Sequence, residues 1–585
     1  MNNKPLSLAV SLILAALSST HANALDMKWV CGSGTWSDAS CWSTVFPPYQ
    51  TNLPTNGDTV YLTQTDSITR TIDYVNTVSP NPVFYQLRVD ATGSGTMTLT
   101  QATGSLNVSF DEEIGAYGKG SYVQSGGTNT VQSGLYLGSF SGSNGSYTLS
   151  GTGSLSVGWT EFVGGSFGTG TFTQTGGTNT TGTLSLGYVN PGSQGTYNLN
   201  GGTLTANQIY KYGNSSFNFN AGTLNIIGGS PAYIGGNGSQ SFVSTINLDA
   251  SKAFNVTNQL TINAGGVINS TGGTFTAGNV YSNGTITQSS GTTTIINALY
   301  LATSNGGTGT YNLNGGTLTV GSIQSDSSGG AFNFNAGTLN AANLAVGGTS
   351  PLGNTLNISA NKVVSISNSL IINPGSTLSM QGGALTVGGV ATNGLVNFKQ
   401  IGGVTTVNGV LNSSVVDLQG GTLNGSGSIV GNVVNSGGTL AMLSSPGSMN
   451  IGGDYTQTSA GLFDVVLGFN SPTTLNIGGT ASLHGTLTVS FTYPNSNFGI
   501  YPHLGDSFTL LSAANLVGSF DILNLASLGP NLAWNVDYLF NQDSLGTDIV
   551  RLSVVAVPEP ESYAMILAGL GLVGAVARRR KQTQA

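Results

Sequence analysis

Charged side chains are scarce in this 585-residue sequence: Asp, Glu, Lys and Arg make up 6% of it, against about 25% in ordinary globular domains. Five of the 14 basic residues stand near the termini, at position 4 and at 578–581, which leaves 9 of the 14 beside 22 acidic residues in the rest of the chain. Proteins that bind nucleic acids or anionic lipid surfaces present basic patches. We therefore expect no nucleic-acid partner.

Cysteine and histidine are rarer still. The sequence has two cysteines, Cys31 and Cys41, and three histidines, His21, His484 and His503. None of them stands at the ligand spacing of a zinc site, and there is no CxxC motif. Acid–base and nucleophilic catalysis need titratable groups brought together, and such groups are few. We predict no catalytic residue, no metal site and no cofactor, so that the protein is not an enzyme.

The densest carboxylate cluster is Asp111-Glu112-Glu113. Such a cluster could bind calcium or cleave a polysaccharide, but adjacent residues of a strand point to opposite faces. We interpret it as a solvated entry to the first repeated coil. The sequence also lacks a G-x-x-x-x-G-K-[ST] phosphate loop, a calcium-binding G-G-x-G-x-D repeat and a nucleophile elbow with a histidine partner.

Long apolar runs are missing except at the two ends. At the N-terminus Lys4 precedes an apolar run over residues 6–17, and Ala22-Asn23-Ala24 provides a small-x-small cleavage site. This order is typical of a secretory signal peptide, read by the Sec translocon, with cleavage near Ala22 and Ala24. In an exported chain the close pair Cys31 and Cys41 favours a disulfide over a metal site or a nucleophile.

What the sequence has in abundance is glycine, 88 residues, within a repeated pattern. Aromatic residues recur 25 positions apart at Tyr122, Tyr147, Phe172 and Tyr197, and GTYNLNGGTLT occurs identically at 195 and 309. Each short unit alternates apolar and polar residues on either side of a glycine doublet, which is typical of two strands joined at a turn. Longer segments recur after about 110 to 115 residues, as FNFNAGTLN does at 217 and 332.

A strand–turn–strand unit this short cannot bury its apolar face alone, so the units must stack. A propeller needs about 40 residues per blade, which the repeat does not supply. We predict an all-β fold, a β-solenoid with β caps and one short C-terminal transmembrane helix. Leu, Ile, Val, Phe and Tyr should line its interior, with Thr, Ser and Asn outside, and charge is rare because like charges stacked one coil apart repel.

The C-terminus carries the other apolar run, fifteen residues that begin at Tyr563 and end at Ala577. It is short of the roughly 20 residues that cross a bilayer, although snorkelling of the basic residues after it can offset the mismatch. Those residues are Arg578, Arg579, Arg580 and Lys581. The positive-inside rule places them in the cytoplasm and the rest of the chain outside.

Pro558-Glu559-Pro560, a short apolar helix and a basic cluster at the extreme terminus form an order that resembles the PEP-CTERM sorting signal. The resemblance implies a Gram-negative bacterium that makes exopolysaccharide, and an exosortase as the partner that recognises and processes the tail. It implies an exported chain tethered in the inner membrane as an intermediate and then delivered to the cell surface or extracellular matrix.

The segment KWVCGSGTWSDASCW and the Gly-Gly-Thr-Leu repeats are similar to autotransporter passengers, but a C-terminal membrane barrel of alternating strands is missing from the sequence. The predicted organisation has five parts. They are a secretory signal peptide (1–24), an N-terminal β cap (25–110), β-solenoid repeats (111–440), a C-terminal β domain or cap (441–556) and the sorting signal with its helix (557–581).

Together these features predict a non-enzymatic structural protein or adhesin of the surface or matrix, associated with extracellular polysaccharide of a biofilm. Rows of hydroxyl and amide groups could bind sugars weakly and multivalently. One alternative is a polysaccharide-degrading β-helix enzyme. Another is a surface protein that assembles into fibres, because uncharged stacked strands aggregate unless their ends are capped.

Overall fold

The computed structural model describes most of the chain between residues 24 and 582. The described ranges are 24–75, 81–188, 192–236, 241–303, 307–326, 329–373, 376–387, 390–443, 448–467, 474–491, 502–542, 546–557 and 560–582. The fold is all-β, with 64% of residues in strands, and it is a β-solenoid of about 16 turns. The predicted fold class is confirmed.

The chain divides into two compact units: residues 1–319 with 325–333, and residues 320–324 with 334–585. The first unit contains β1 Asp26–Trp29, β2 Gly34–Thr35, β3 Trp42–Thr44, β4 Thr59–Gln64, β5 Arg70–Asp73, β6 Val83–Phe84, β7 Gln86–Ala91, β8 Met97–Gln101, β9 Ser105–Val108, β10 Glu112–Ile114, β11 Lys119–Gln124, β12 Thr128–Val131, β13 Gly134–Leu137, β14 Asn144–Leu149, β15 Ser154–Val163, β16 Thr169–Leu186, β17 Gln194–Lys211, β18 Ser216–Ile226, β19 Ala232–Ile234, β20 Ser241–Val243, β21 Thr245–Leu248, β22 Lys252–Ile262, β23 Val267–Ser282, β24 Thr285–Leu301 and β25 Thr310–Leu313.

Two strands contribute residues to both units, β26 Thr317–Ser325 and β27 Ala331–Phe334. The second unit contains β28 Gly337–Val346, β29 Thr355–Ser359, β30 Lys362–Ile372, β31 Thr377–Val387, β32 Val390–Val407, β33 Val410–Asn424, β34 Ser428–Ile429, β35 Asn432–Asn435, β36 Thr439–Met442, β37 Met449–Ile451, β38 Tyr455–Gln457, β39 Leu462–Leu467, β40 Leu475–Leu483, β41 Thr486–Phe491, β42 Ser507–Gly518, β43 Ile522–Leu525, β44 Leu532–Leu539, β45 Asp548–Ala556 and the helix α1 Pro560–Gln582.

The first unit opens on a small antiparallel cap, in which β3 pairs with β1. Trp36 and Trp42 lie 4.7 Å apart between ring centroids, Trp29 packs edge-on against Trp42, and all three are buried. Cys31 and Cys41 form a disulfide beside this cluster. Parallel pairing already begins between β1 and β4, so the coils include much of the segment that the sequence assigns to the N-terminal cap.

The coils of the first unit stack in parallel register, so that residues of one type form inner rows. Tyr122 of β11 faces Leu99 of β8 on one side and Tyr147 of β14 on the other. The row continues through Phe172 and Tyr197, with ring centroids 4.7, 4.9 and 4.6 Å apart along it, and all four rings are buried. The aromatic residue repeated every 25 positions is therefore a continuous inner stack.

Outward positions carry polar ladders. Asn218 donates to Asn198 at 2.8 Å and Asn220 donates to Asn200 at 2.8 Å, each from one coil to the coil before it. Glycine is required where coils touch: a Cβ on Gly195 would lie 1.9 Å from the carbonyl oxygen of Val163. The glycine content and the low charge both follow from close stacking.

The second unit uses the same parallel stacking and ends differently. β33 pairs with β35 and β36, and β39 pairs with β41, in parallel. At the end of the unit β45 runs antiparallel to both β42 and β44. The parallel coils thus continue well into the segment predicted as a C-terminal domain, and an antiparallel set of strands follows them.

Candidate functional site

The C-terminal tail forms the single long helix in the described part of the chain, α1. Pro560 is its first residue, a position that suits proline because the missing N–H has no partner in a helix anyway. Pro558 and Glu559 lie outside the described residues. The basic residues 578–580 occupy the last turns, where the helix dipole favours positive charge.

Every side chain described between residues 564 and 580 is exposed. The apolar ones expose between 51% and 75% of their surface: Met565, Ile566, Leu567, Leu570, Leu572, Val573 and Val576. The sequence predicts a transmembrane helix here, between Tyr563 and Ala577. Among the helices of the described residues, none is both long and apolar enough to span a membrane.

The predicted signal peptide and its Ala22 lie outside the described residues, whereas Ala24 is described and exposed. The chain joins the fold directly after it. The backbone N–H of Leu25 donates to Oδ1 of Asp58 at 2.8 Å, and the backbone N–H of Thr59 donates to the carbonyl of Leu25 at 2.9 Å. These contacts lie next to the position where the sequence predicts the mature N-terminus.

The interpretation of the carboxylate cluster as a solvated entry is wrong for Glu112, which is fully buried. Glu112 stands in β10 between Leu87 of β7 and Leu135 of β13, so strand alternation turns it inward. Its neighbour Glu113 points outward and forms a 2.6 Å ion pair with Arg88.

The other two carboxylates of this region are held by backbone amides. Asp111 accepts a hydrogen bond from the N–H of Gly134 at 3.0 Å. Asp90 accepts from the N–H groups of Tyr117 and Gly118, at 3.0 and 2.9 Å. These contacts connect one coil to the next, so the carboxylates act here as structural groups.

His484 and His503 are exposed, and each lies near a single aspartate. His484 Nδ1 lies 3.7 Å from Asp521 Oδ1, and His503 Nδ1 lies 3.7 Å from Asp506 Oδ2. Within the described ranges no group of three or more His, Cys, Asp and Glu is arranged to hold a metal ion.

A surface that sequence reasoning missed lies on the outside of the coils that contain β7, β10, β13 and β15, mostly in the turns beside these strands, and we call it the aromatic face. Its exposed members are Tyr85, Phe110, Tyr117, Phe140, Trp159, Phe167 and Tyr188, and the half-buried Tyr136 and Phe162 lie between them. Rings from successive coils stack in pairs: Tyr85 on Phe110 at 5.2 Å and Tyr117 on Phe140 at 4.6 Å.

Arg88, which forms the ion pair with Glu113, also contacts this face: its guanidinium lies 5.1 Å from the ring centre of Tyr117. A sequence signal existed: the pattern Gly-x-aromatic recurs at Tyr117, Phe140 and Phe167, at intervals close to one coil. Since an aromatic residue in a strand protein is usually assigned to the core, the pattern predicts no surface row by itself.

The fold and the tail together define a class of protein, a β-solenoid followed by one C-terminal helix. Residues 556–581 match the family model of the PEP-CTERM protein-sorting motif. The chain therefore carries a C-terminal PEP-CTERM sorting motif, which implies export that depends on an exosortase, the processing partner, and a membrane-anchored sorting intermediate. A comparison with curated proteins gave no match.

Proposed function

We propose that this protein is a non-enzymatic structural protein or adhesin of the cell surface or extracellular matrix, associated with exopolysaccharide. The observation that carries the proposal is the sorting motif at 556–581, placed directly after a closed β-solenoid. A sorting motif delivers the fold before it, and this fold offers long outer surfaces for contact with a polymer.

The route follows from the two ends of the chain. The signal peptide directs the chain to the Sec translocon, and the tail then holds it in the inner membrane with Arg578, Arg579, Arg580 and Lys581 in the cytoplasm. Fifteen apolar residues make a weak anchor. A tail of this kind suits temporary retention until exosortase processing sends the protein to the surface or matrix.

The aromatic face is the candidate contact with polysaccharide. Aromatic rings pack against the C–H faces of sugar rings, and the row repeats at the coil rise of roughly 4.8 Å, which matches a polymer better than a single small molecule. Many weak contacts along one polymer give high avidity. The ion pair of Arg88 and Glu113 leaves the face with little net charge.

Deletion of the tail tests the sorting role. Removal of residues 557–585 should release the protein from the surface fraction into the periplasm or medium. The matched control removes only residues 582–585, which lie beyond the matched motif, and should leave localisation unchanged. Unchanged surface retention of the longer deletion, measured by fractionation and immunoblot, contradicts the proposal.

Substitution on the aromatic face tests the polysaccharide contact. The variant Tyr117→Ser/Phe140→Ser/Phe167→Ser should lower binding to exopolysaccharide purified from the producing strain by about tenfold, since avidity multiplies over contacts. The control Phe46→Ser/Tyr49→Ser removes rings of similar exposure, 66% and 68%, outside the face. Equal binding by both variants in a sedimentation assay places any polysaccharide contact elsewhere.

A further inference from the structure

Two buried glutamates occupy equivalent positions in the first unit. Glu112 pairs in register with Leu135, and Leu135 pairs with Glu161 two coils from Glu112. Both glutamate side chains are fully buried. No ion pair to either carboxylate occurs among the described residues, so neither charge is compensated by a cation.

Each glutamate contacts one buried asparagine. Asn129 Nδ2 donates to Glu112 Oε2 at 2.9 Å, and Asn179 Nδ2 donates to Glu161 Oε2 at 2.9 Å. In both pairs the remaining two oxygens, Oε1 of the glutamate and Oδ1 of the asparagine, are buried without a hydrogen-bond partner. Each pair therefore has two buried acceptor oxygens that lack a donor. One proton on the carboxyl group would supply that donor, and the same arrangement occurs in two coils.

The pairs belong to a network that alternates along the stack. We call residues 112–131 and 160–181 polar coils, and residues 134–157 and 183–206 leucine coils. The asparagines of the polar coils pair in register with leucines, Asn129 with Leu155 and Asn179 with Leu204. A tyrosine of each leucine coil reaches back, and Tyr147 and Tyr197 accept from these asparagines at 3.3 and 3.0 Å.

A third buried network shows what happens without the acid. Gln288 accepts a hydrogen bond from Tyr311, as Gln174 does from Tyr197. In this network Val280 occupies the position of the glutamate, and Thr293 occupies the position of the asparagine. Glutamate and asparagine are thus present together or absent together. This is expected if each completes the other's hydrogen bonds.

We propose that Glu112 and Glu161 are neutral carboxylic acids whose O–H groups donate hydrogen bonds to Oδ1 of Asn129 and Asn179, and that these acid–amide pairs are pH-sensitive locks inside the polar coils. No proton is transferred within the pair: the acid O–H donates one hydrogen bond, the amide N–H returns another, and ionisation of the acid releases one proton to solvent. An ionised carboxylate loses its donor and buries an unpaired charge.

The surroundings favour the neutral form. Burial raises the pKa of both carboxyls to about 8, more than the asparagine hydrogen bonds lower it. The titratable groups that face the pairs from neighbouring strands are tyrosines whose own pKa values are raised by burial: Tyr122, Tyr147 and Tyr197. The charged groups outside the same strands are Arg88, Asp90, Asp111 and Glu113.

The sign of the pH dependence follows. The pKa of a glutamate is near 4.3 in the unfolded chain and near 8 in the fold. Between these two pH values the folded chain keeps the proton, whereas the unfolded chain has lost it. The stabilisation is complete below about pH 4.3 and is lost as pH rises through 8. Each pair then lowers the protection of nearby amides by up to about tenfold per pH unit in that window.

Infrared spectroscopy of the full mature chain tests the protonation directly. At pH 6.5 the carbonyl band of protonated carboxylic acid should persist and should disappear between pH 7 and 9. Glu112→Gln and Glu161→Gln should each remove about half of it, and the control Glu113→Gln should remove none. A band that is absent at pH 6.5, or that survives both substitutions, overturns the proposal.

Hydrogen exchange tests the lock. Protection of β11 to β17 should fall from pH 5 to pH 8 in the parent chain and stay level in Glu112→Gln/Glu161→Gln. Should that variant fail to fold, Glu112→Leu/Asn129→Leu gives the first polar coil the leucines of a leucine coil at these two positions and should remove half of the pH dependence. A pH dependence equal to that of the parent in the folded variant also overturns the proposal.

Discussion

At the scale of the residue, the inner aromatic position holds tyrosine or phenylalanine according to a single side chain in the coil before it. Tyr147 donates to Gln124 and Tyr197 donates to Gln174, each at 2.7 Å. Phe172 stands in the same row, and the residue that a hydroxyl there would meet is Leu149. A buried hydroxyl is present where it has an acceptor and absent where it has none.

This match predicts a non-additive pair of substitutions. Phe172→Tyr alone should lower the free energy of unfolding by about 1 to 3 kcal/mol, because its hydroxyl is buried against leucine. Leu149→Gln alone should also destabilise. The double variant should recover at least about 1 kcal/mol of the summed loss through the new hydrogen bond. Denaturant unfolding measures the cycle, and simple additivity contradicts the match.

At the scale of the element, the sequence predicts the strands well because their alternation and their 25-residue period are local patterns. Tyr122 and Tyr197 are where the period places them, inside the stack. The orientation of Glu112 could not be predicted, because strand alternation allows either phase for a run of three carboxylates and only the register with Leu87 selects the inner one.

The extent of the caps was also beyond the sequence. Composition marks the tryptophans and prolines of the first segment as different, yet β4 and β7 already pair in parallel like later coils. Pairing direction depends on contacts between residues about 25 positions apart, and composition does not report them. The aromatic face escaped prediction for a related reason: outward and inward rings have the same residue types.

The N-terminal cap permits a prediction about local stability. Replacement of both disulfide cysteines, Cys31→Ala/Cys41→Ala, opens a loop with a sequence separation of 10 and should cost about 2 to 3 kcal/mol. In a repeat fold each coil contacts its neighbours, so the loss should stay near β1 to β4. Hydrogen exchange should accelerate there and remain unchanged in β16 to β18, and reduction of the parent chain should reproduce it. A uniform acceleration contradicts this expectation.

At the scale of the whole molecule, the ends of the stack decide between a monomer and a fibre. A solenoid with open ends presents unpaired strand edges that can add further chains. Here the first unit starts with antiparallel β1 and β3, and the second ends with antiparallel β42, β45 and β44. These strands differ in direction from the parallel coils, which makes them poor templates for another coil.

We therefore expect the segment 25–556 to remain monomeric over a wide range of concentration in sedimentation velocity. A variant without residues 532–556, which removes β44 and β45, should associate as concentration rises. Filaments formed by the intact segment would favour the fibre-forming alternative instead. The disulfide variant gives a useful comparison, because it weakens the antiparallel start of the first unit.

The alternation of polar and leucine coils also restricts how such a protein can change in length between generations. Consider a duplication of one polar coil together with the leucine coil after it, residues 160–206. The second copy of Phe172 then follows Leu199, and every buried tyrosine hydroxyl keeps its glutamine acceptor. A copy of one coil alone sets Phe172 after Gln174, or Tyr197 after Leu199, and leaves a polar group unpaired. Unequal recombination should therefore be tolerated in steps of two coils, so that the heritable unit is about twice the visible repeat.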